Sequence, residues 1–253
     1  MAAADNPMLD YTLRLGDNAL ILGQRLGEWC GHAPQLEEDI ALTNIALDLI
    51  GQARSWLTYA GEVEGAGRDE DKLAFLRDIG AFRNVLLVEQ PNGDFGKTIL
   101  RQFLFDAFHV ELLEKLAGSS DAQVAAIAQK SVKEVRYHVR FSGEWVIRLG
   151  DGTQESRGRM LAALDDLWRF TGELFTPDAV DLATAEAGFG VDPATLRPAW
   201  DRRVTAVLDE ATLPRPEDRW MASGGKAGAH SEHMGYILAE MQFLQRAYPG
   251  AQW

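Results

Sequence analysis

The chain has 253 residues, 46% of them hydrophobic and 25% charged, ordinary proportions for a globular protein long enough to bury a core without covalent staples. Its 25 basic against 38 acidic side chains leave a net charge of −13, which reads as solubility and excludes nucleic acid and anionic membranes, since both call for a basic face. The single cysteine, Cys30, excludes an internal disulfide and fits a reducing cytosol; the run from Met1 to Pro7 has no basic or apolar leader pattern, and no stretch nears the roughly 20 apolar residues of a membrane span, so a cytoplasmic protein is expected.

Helical periodicity dominates the chain. A first apolar-rich helix is expected from about Leu9 to Trp29, stopped before Pro34. A second runs to about Tyr59, with Glu37, Glu38 and Asp39 placed at the positive end of its dipole. A shorter helix is expected over Asp71 to Leu87, then a turn at Pro91-Asn92-Gly93-Asp94. A strongly apolar helix follows from about Phe95 to Leu116, and another, capped by Asp121, runs to about Leu149. Beyond them the pattern predicts helices over Gln154–Phe175, Pro193–Glu210 and Ser231–Ala247, with Asp178–Asp192 less regular. No strand pattern, repeat or low-complexity linker interrupts this.

Four long segments, near 9–29, 36–60, 95–117 and 121–149, come as two short-linked pairs joined by one long crossover. That is the connectivity of a ferritin-like four-helix bundle. The expectation is therefore all-α: one ferritin-like domain over residues 1–253, with the bundle core at about 9–150 and accessory C-terminal helices over about 153–253. Each long segment carries polar groups at mid-length: Gln24 and Glu28; Asn44, Asp48, Gly51 and Ser55; Gln102, Asp106 and His109; Lys130, Glu134 and His138. The Asn44–Ser55 stripe faces either solvent or the bundle centre, and its apolar flanks favour the centre.

Such bundles hold two irons with a Glu from each of two helices and a Glu-x-x-His from each of the other two. Here Asp106 and His109 form the only Asp/Glu-x-x-His pair. Gly51 stands three residues after Asp48, where an imidazole belongs, and Tyr137 three after Glu134. His138 comes one step, about 100°, too late. Both imidazole positions are lost. No catalytic, cofactor-binding or metal residue is assigned, and the expected substitute for iron is a network of ion pairs and hydrogen bonds with Lys130, Arg54 or Arg101 as the cation. The alternative is an irregular di-iron site of Glu28, Asp48, Asp106, His109, Glu134 and His138.

Other constellations are weaker. His230 and His233 share the spacing of a metal pair without a third ligand, and Gly224-Gly225-Lys226 before a helix could cradle a phosphate. The plainer expectation is a flexible loop feeding a capped helix. Cys30 reads as a buried small hydrophobe, and the tryptophans from Trp29 to Trp253 read as core and interface anchors.

The run from Glu28 through Asp39 to Arg54 resembles the C-subunit family of bacterial phenylacetyl-CoA epoxidases. So do Phe82–Gly96, Leu164–Phe170, Gly224-Gly225-Lys226 with His230, and Leu238–Arg246. The likeness spans nearly the whole chain. It implies a structural, non-catalytic subunit of a multicomponent monooxygenase of phenylacetate catabolism. In that family a related catalytic subunit holds the di-iron centre and epoxidises the aromatic ring of phenylacetyl-CoA, so no cofactor is expected in this chain. The partners implied are that catalytic subunit, other subunits of the complex and a second copy of this chain, with no nucleic acid and no membrane. The competing readings are an oxygenase in its own right and an acyl-CoA-binding bundle.

Overall fold

The computed structural model describes residues 6–251. The Met1–Asp5 stretch, on which the absence of a leader was read, and Trp253 lie outside the described residues. Among the described residues there are ten α-helices and no strand, so the class is all-α. The helices are α1 (Pro7–Glu28), α2 (Leu36–Glu64), α3 (Glu70–Phe75), α4 (Phe95–Leu116), α5 (Ala122–Gly150), α6 (Gln154–Leu167), α7 (Ala179–Glu186), α8 (Arg197–Glu210), α9 (Glu232–Met241) and α10 (Phe243–Ala247). Contacts divide the chain into two compact units, residues 6–91 with 224–251, and Asn92–Ser223.

In the first unit, α1 starts where the Asn6 side chain accepts from the Leu9 N–H at 3.2 Å, with Pro7 supplying a preset φ. The helix α2 ends at Gly65, which takes the left-handed φ of +67° that stops a helix at low cost. Gly16 lies against Trp56 and Leu57, and Gly23 against Leu49 and Ile50, so the two helices run antiparallel. A Cβ on Gly16 would stand 2.7 Å from Leu57 Cδ2; the missing side chain is what permits the close approach. Ile21, Leu22, Leu26, Leu42, Ile45, Leu49 and Trp56 are fully buried.

In the second unit, Asp106 meets Ser142 and Glu114 meets Arg136, so α4 and α5 are antiparallel too. Asp121 caps α5 as expected, accepting from the Gln123 and Val124 N–H groups. From α8, fully buried Trp200 donates its indole N–H to the Leu104 carbonyl at 3.0 Å.

Several helices are shorter than their sequence pattern. The Asp71–Leu87 helix is only α3 followed by two 3₁₀ turns. Its further backbone donors are diverted: the Arg83 N–H goes to Asp17 Oδ2 at 2.8 Å and the Val85 N–H to Asn18 Oδ1 at 2.9 Å. Groups spent this way cannot extend an i→i−4 ladder. The α6 helix stops at Leu167 and gives way to 3₁₀ turns, with the Arg169 carbonyl accepting from the Ala222 N–H at 2.8 Å. The last predicted helix breaks at Gln242, whose amide donates to the Ala74 and Arg77 carbonyls at 3.0 Å each. In the stretch read as irregular, α7 forms behind a reciprocal Asp178–Asp181 capping box.

Candidate functional site

The polar groups expected on α4 and α5 converge within the second unit. Asp106 is fully buried. Its Oδ1 accepts from Gln102 Nε2 at 2.7 Å, and its Oδ2 lies 2.9 Å from the Ser142 hydroxyl. That hydroxyl is also 2.8 Å from the His138 carbonyl. When Asp106 is ionised, Ser142 donates to it; when Asp106 is protonated, it donates to Ser142 and Ser142 donates to His138 O. Burial pushes the Asp106 carboxyl up to about 6, against the opposing pull of the His138 imidazole, Ser142 and Gln102. His109, tilted against Phe105 with ring centroids 5.1 Å apart, is pushed down to about 3 by burial and then by His138. Its Nδ1 and Gln102 Oε1 are buried without a protein partner.

This donor set does not fit a carboxylate-bridged iron pair. Both oxygens of Asp106 are engaged by neutral side chains. Glu28 is exposed and receives Arg25 Nη1 at 3.1 and 2.8 Å, while Asp48 and Glu134 are half-buried. Among the described residues no group of three or more His, Cys, Asp or Glu side chains is placed to hold a metal ion. The cationic substitute foreseen from sequence is not what meets Asp106. Lys130 and Arg54 are exposed, Arg54 being held by Glu70 at 3.1 Å, and buried Arg101 donates to Asn92 Oδ1 at 2.7 Å. The buried carboxylate is met by an amide, a hydroxyl and an imidazole. Nor does the Asn44 stripe point inward: Asn44 is exposed, and Asp48, Gly51 and Ser55 are half-buried. Cys30 is exposed rather than buried, because it lies past the end of α1 in a turn.

The first unit holds a denser polar centre that sequence patterns did not isolate. Buried Asp17, on α1, pairs with the Arg77 guanidinium, with Nη1 at 3.0 Å from Oδ2, and Arg77 lies 4.2 Å over the Phe82 ring. Arg25, also on α1, donates from Nε and Nη2 to the Glu89 carbonyl at 3.1 and 2.8 Å. The Glu89 carboxylate accepts from Asn84 Nδ2 at 3.1 Å and the Ser231 N–H at 2.6 Å, and faces His230 Nδ1 at 2.9 Å. His230 Nε2 points to the Phe82 carbonyl at 3.1 Å. With an acceptor at each ring nitrogen, the imidazolium form suits this setting. Burial by itself would lower the His230 pKa, but the Glu89 carboxylate, with the Phe82 carbonyl and Asp17, outweighs it and raises the value.

Both nitrogens of His230 are spent in this way, so the His230–His233 pair offers no bidentate metal site. The glycines of the adjoining loop have a steric reason. A Cβ on Gly225 would stand 2.2 Å from the Asn84 carbonyl oxygen, and one on Gly228, at φ +82°, 2.4 Å from that of Gly80. They let two loop backbones touch, and this replaces the phosphate-cradle reading. No sign of this centre stands in the sequence: Phe82–Leu87 reads as the end of a helix and Gly224–His230 as a flexible loop, and nothing in local spacing pairs residues so far apart.

Comparison with known proteins agrees across the whole length. The family model described as phenylacetic acid catabolic protein matches residues 1–253. A curated relative, the C-subunit of the 1,2-phenylacetyl-CoA epoxidase of Escherichia coli (strain K12), is 58% identical over 248 residues, which cover 98% of this chain and 100% of that protein. The family resemblance and the all-α, ferritin-like class expected from the sequence are thereby shown.

Proposed function

The chain belongs to the phenylacetic acid catabolic protein family, and from that premise we propose that it is a non-catalytic, structural subunit of a multicomponent oxygenase that epoxidises the aromatic ring of phenylacetyl-CoA. It supports a di-iron catalytic subunit, which it stabilises by burying helical surface, and it works in the cytoplasm. The relative's name carries the substrate and the multi-subunit nature of the enzyme. The observation that supports a non-catalytic role is the engagement of both Asp106 oxygens by Gln102 and Ser142. A carboxylate so satisfied bridges no metals without losing those bonds, and its neighbours His109 and His138 are too few to complete the usual set. No described helix is long and apolar enough to cross a membrane.

The test is co-expression with the catalytic subunit, followed by metal analysis of each purified chain and an epoxidation assay with and without this one. The expected result is negligible iron in this chain, and loss of partner solubility or turnover when it is omitted. About two irons per copy of this chain would overturn the reading. So would full turnover in its absence.

A further inference from the structure

The second unit carries a groove of about 470 Å³ between α5 and α8, with α4 as its floor. The floor is apolar: Phe103, Val110 and Val139 are buried, and Val207 is half-buried. Gly143 keeps it open. A Cβ there would stand 3.3 Å from Phe103 Cε2 and 3.8 Å from Val207 Cγ2, so the glycine holds a side chain out of the space beside the Phe103 ring. From Arg140 to Ile147, both on the groove wall, α5 rises about 10 Å. That length takes an aromatic ring with a short side chain and not a long acyl chain.

Cations gather at one end of the groove. Arg136, Arg140 and Arg203 line it. Glu114 holds Arg136 Nη2 at 2.8 Å, and Glu111 holds Arg203 Nη2 at 2.9 Å. Arg140 stands 5.7 Å from the centroid of the Tyr137 ring and is in no ion pair among the described residues. Arg203 Nε is buried without a protein acceptor. Three guanidiniums against two carboxylates leave one positive charge, with planar donors at Arg140 and Arg203 still unused. A singly charged, planar carboxylate matches that end. We propose that the groove binds a small arylalkanoate anion, with its carboxylate at Arg140 and Arg203 and its ring between Gly143 and Val207 over Phe103. This site is separate from the buried Asp106 centre, and it goes beyond the supporting-subunit reading and does not depend on it.

The experiment titrates the full chain with hydrocinnamate by calorimetry, beside the neutral amide of the same acid, octanoate and inorganic phosphate, with thermal melts to check the folding of variants. Saturable single-site binding is expected, with a Kd of about 1 mM or tighter. The amide, and hydrocinnamate on Arg140→Gln, should each bind about tenfold more weakly or worse, since each change removes the charge-assisted bond. Val207→Trp, which fills the groove and leaves the arginines in place, should abolish binding. Hydrogen exchange of the wild-type chain gives a readout independent of the variants' folding, and hydrocinnamate is expected to slow it over residues 140–147 and 203–207. No saturable heat at about ten times the expected Kd overturns the proposal. So does a folded Arg140→Gln chain that binds as tightly as wild type, or protection confined to other helices. Octanoate binding as tightly as hydrocinnamate, or phosphate displacing it, also overturns the proposal, by assigning the groove to acyl chains or to anions at large.

Discussion

His230 Nδ1 lies 2.9 Å from Glu89 Oε2 across 141 residues of sequence, and both side chains are fully buried. The pair ties the segment ahead of α9 to the loop after α3. The same carboxylate accepts the Ser231 N–H, so one group both neutralises the imidazolium and satisfies the backbone donor beside it.

Removing either partner leaves an uncompensated buried charge, a change that costs about 3–5 kcal/mol. His230→Ala and Glu89→Gln are therefore expected to lower stability by that order in chemical denaturation. Hydrogen exchange of the amides in α9 should quicken in both. Unchanged exchange there would mean that the pair does not fasten the segment.

The pH dependence has a defined sign. The His230 pKa is raised in the folded state, so the native protein binds more protons than the unfolded chain above the ordinary histidine value of about 6.5. The stabilisation is fully present below that value and is lost as pH rises through the folded pKa. Denaturation midpoints should fall along this alkaline limb for wild type, and the fall should be absent in His230→Ala. An identical alkaline slope in both would assign the titration to another group.

At the other centre two shifts oppose each other on the acid side. His109, at about 3, stays neutral in the native state while the unfolded chain protonates, so stability falls as pH drops from about 6.5 towards 3. Asp106, at about 6, takes up its proton in the native state first, so stability rises as pH drops from 6 towards 3.8. Asp106→Asn removes only the second term, whose size is about 3 kcal/mol. The variant should be at least as stable as wild type at pH 7 and should lose stability more steeply between pH 6 and 4. A variant with the wild-type acid slope would show that Asp106 does not titrate in this range.

The long helices were legible because their signals are local. Apolar residues at steps of three and four and the Asp121 cap act within a turn or two, although α2 runs past the expected end near Tyr59 to Glu64 and closes at Gly65. The pairing of α4 with α5 was legible from their short link, but Ser142, which meets Asp106 there, carried no sequence signal, and the cation expected in its place was Lys130, Arg54 or Arg101. What escaped was non-local. The donors of Arg83 and Val85 are taken by Asp17 and Asn18, more than sixty residues earlier, and this truncates a helix that propensity alone supports. The outward side of α2 escaped for another reason: an apolar residue signals burial without saying whether its own chain supplies the cover, so the apolar flanks of the Asn44–Ser55 stripe favoured the bundle centre, while Leu47 among them stands 64% exposed.

The glycine loop before α9 yields the last prediction. Gly225 sits with the Asn84 carbonyl oxygen, the Val85 carbonyl carbon and the Leu86 nitrogen 2.2, 3.2 and 3.0 Å from where its Cβ would be. All three are backbone atoms of the Asn84–Leu86 segment, with no flexible side chain to move aside, so Gly225→Ala must push the loops apart, and overpacking of this kind typically costs about 1–3 kcal/mol. Parting them also lengthens the His230–Phe82 and Ser231–Glu89 bonds, so the variant should lose part of the alkaline pH dependence along with its stability. Gly224→Ala, at φ +138° and with Ala229 in the way, should behave similarly. Inorganic phosphate should leave the thermal midpoint of wild type unchanged, since the glycines serve backbone approach and not anion binding. A rise of the midpoint with phosphate that Lys226→Ala abolishes would reinstate the cradle and remove the steric account.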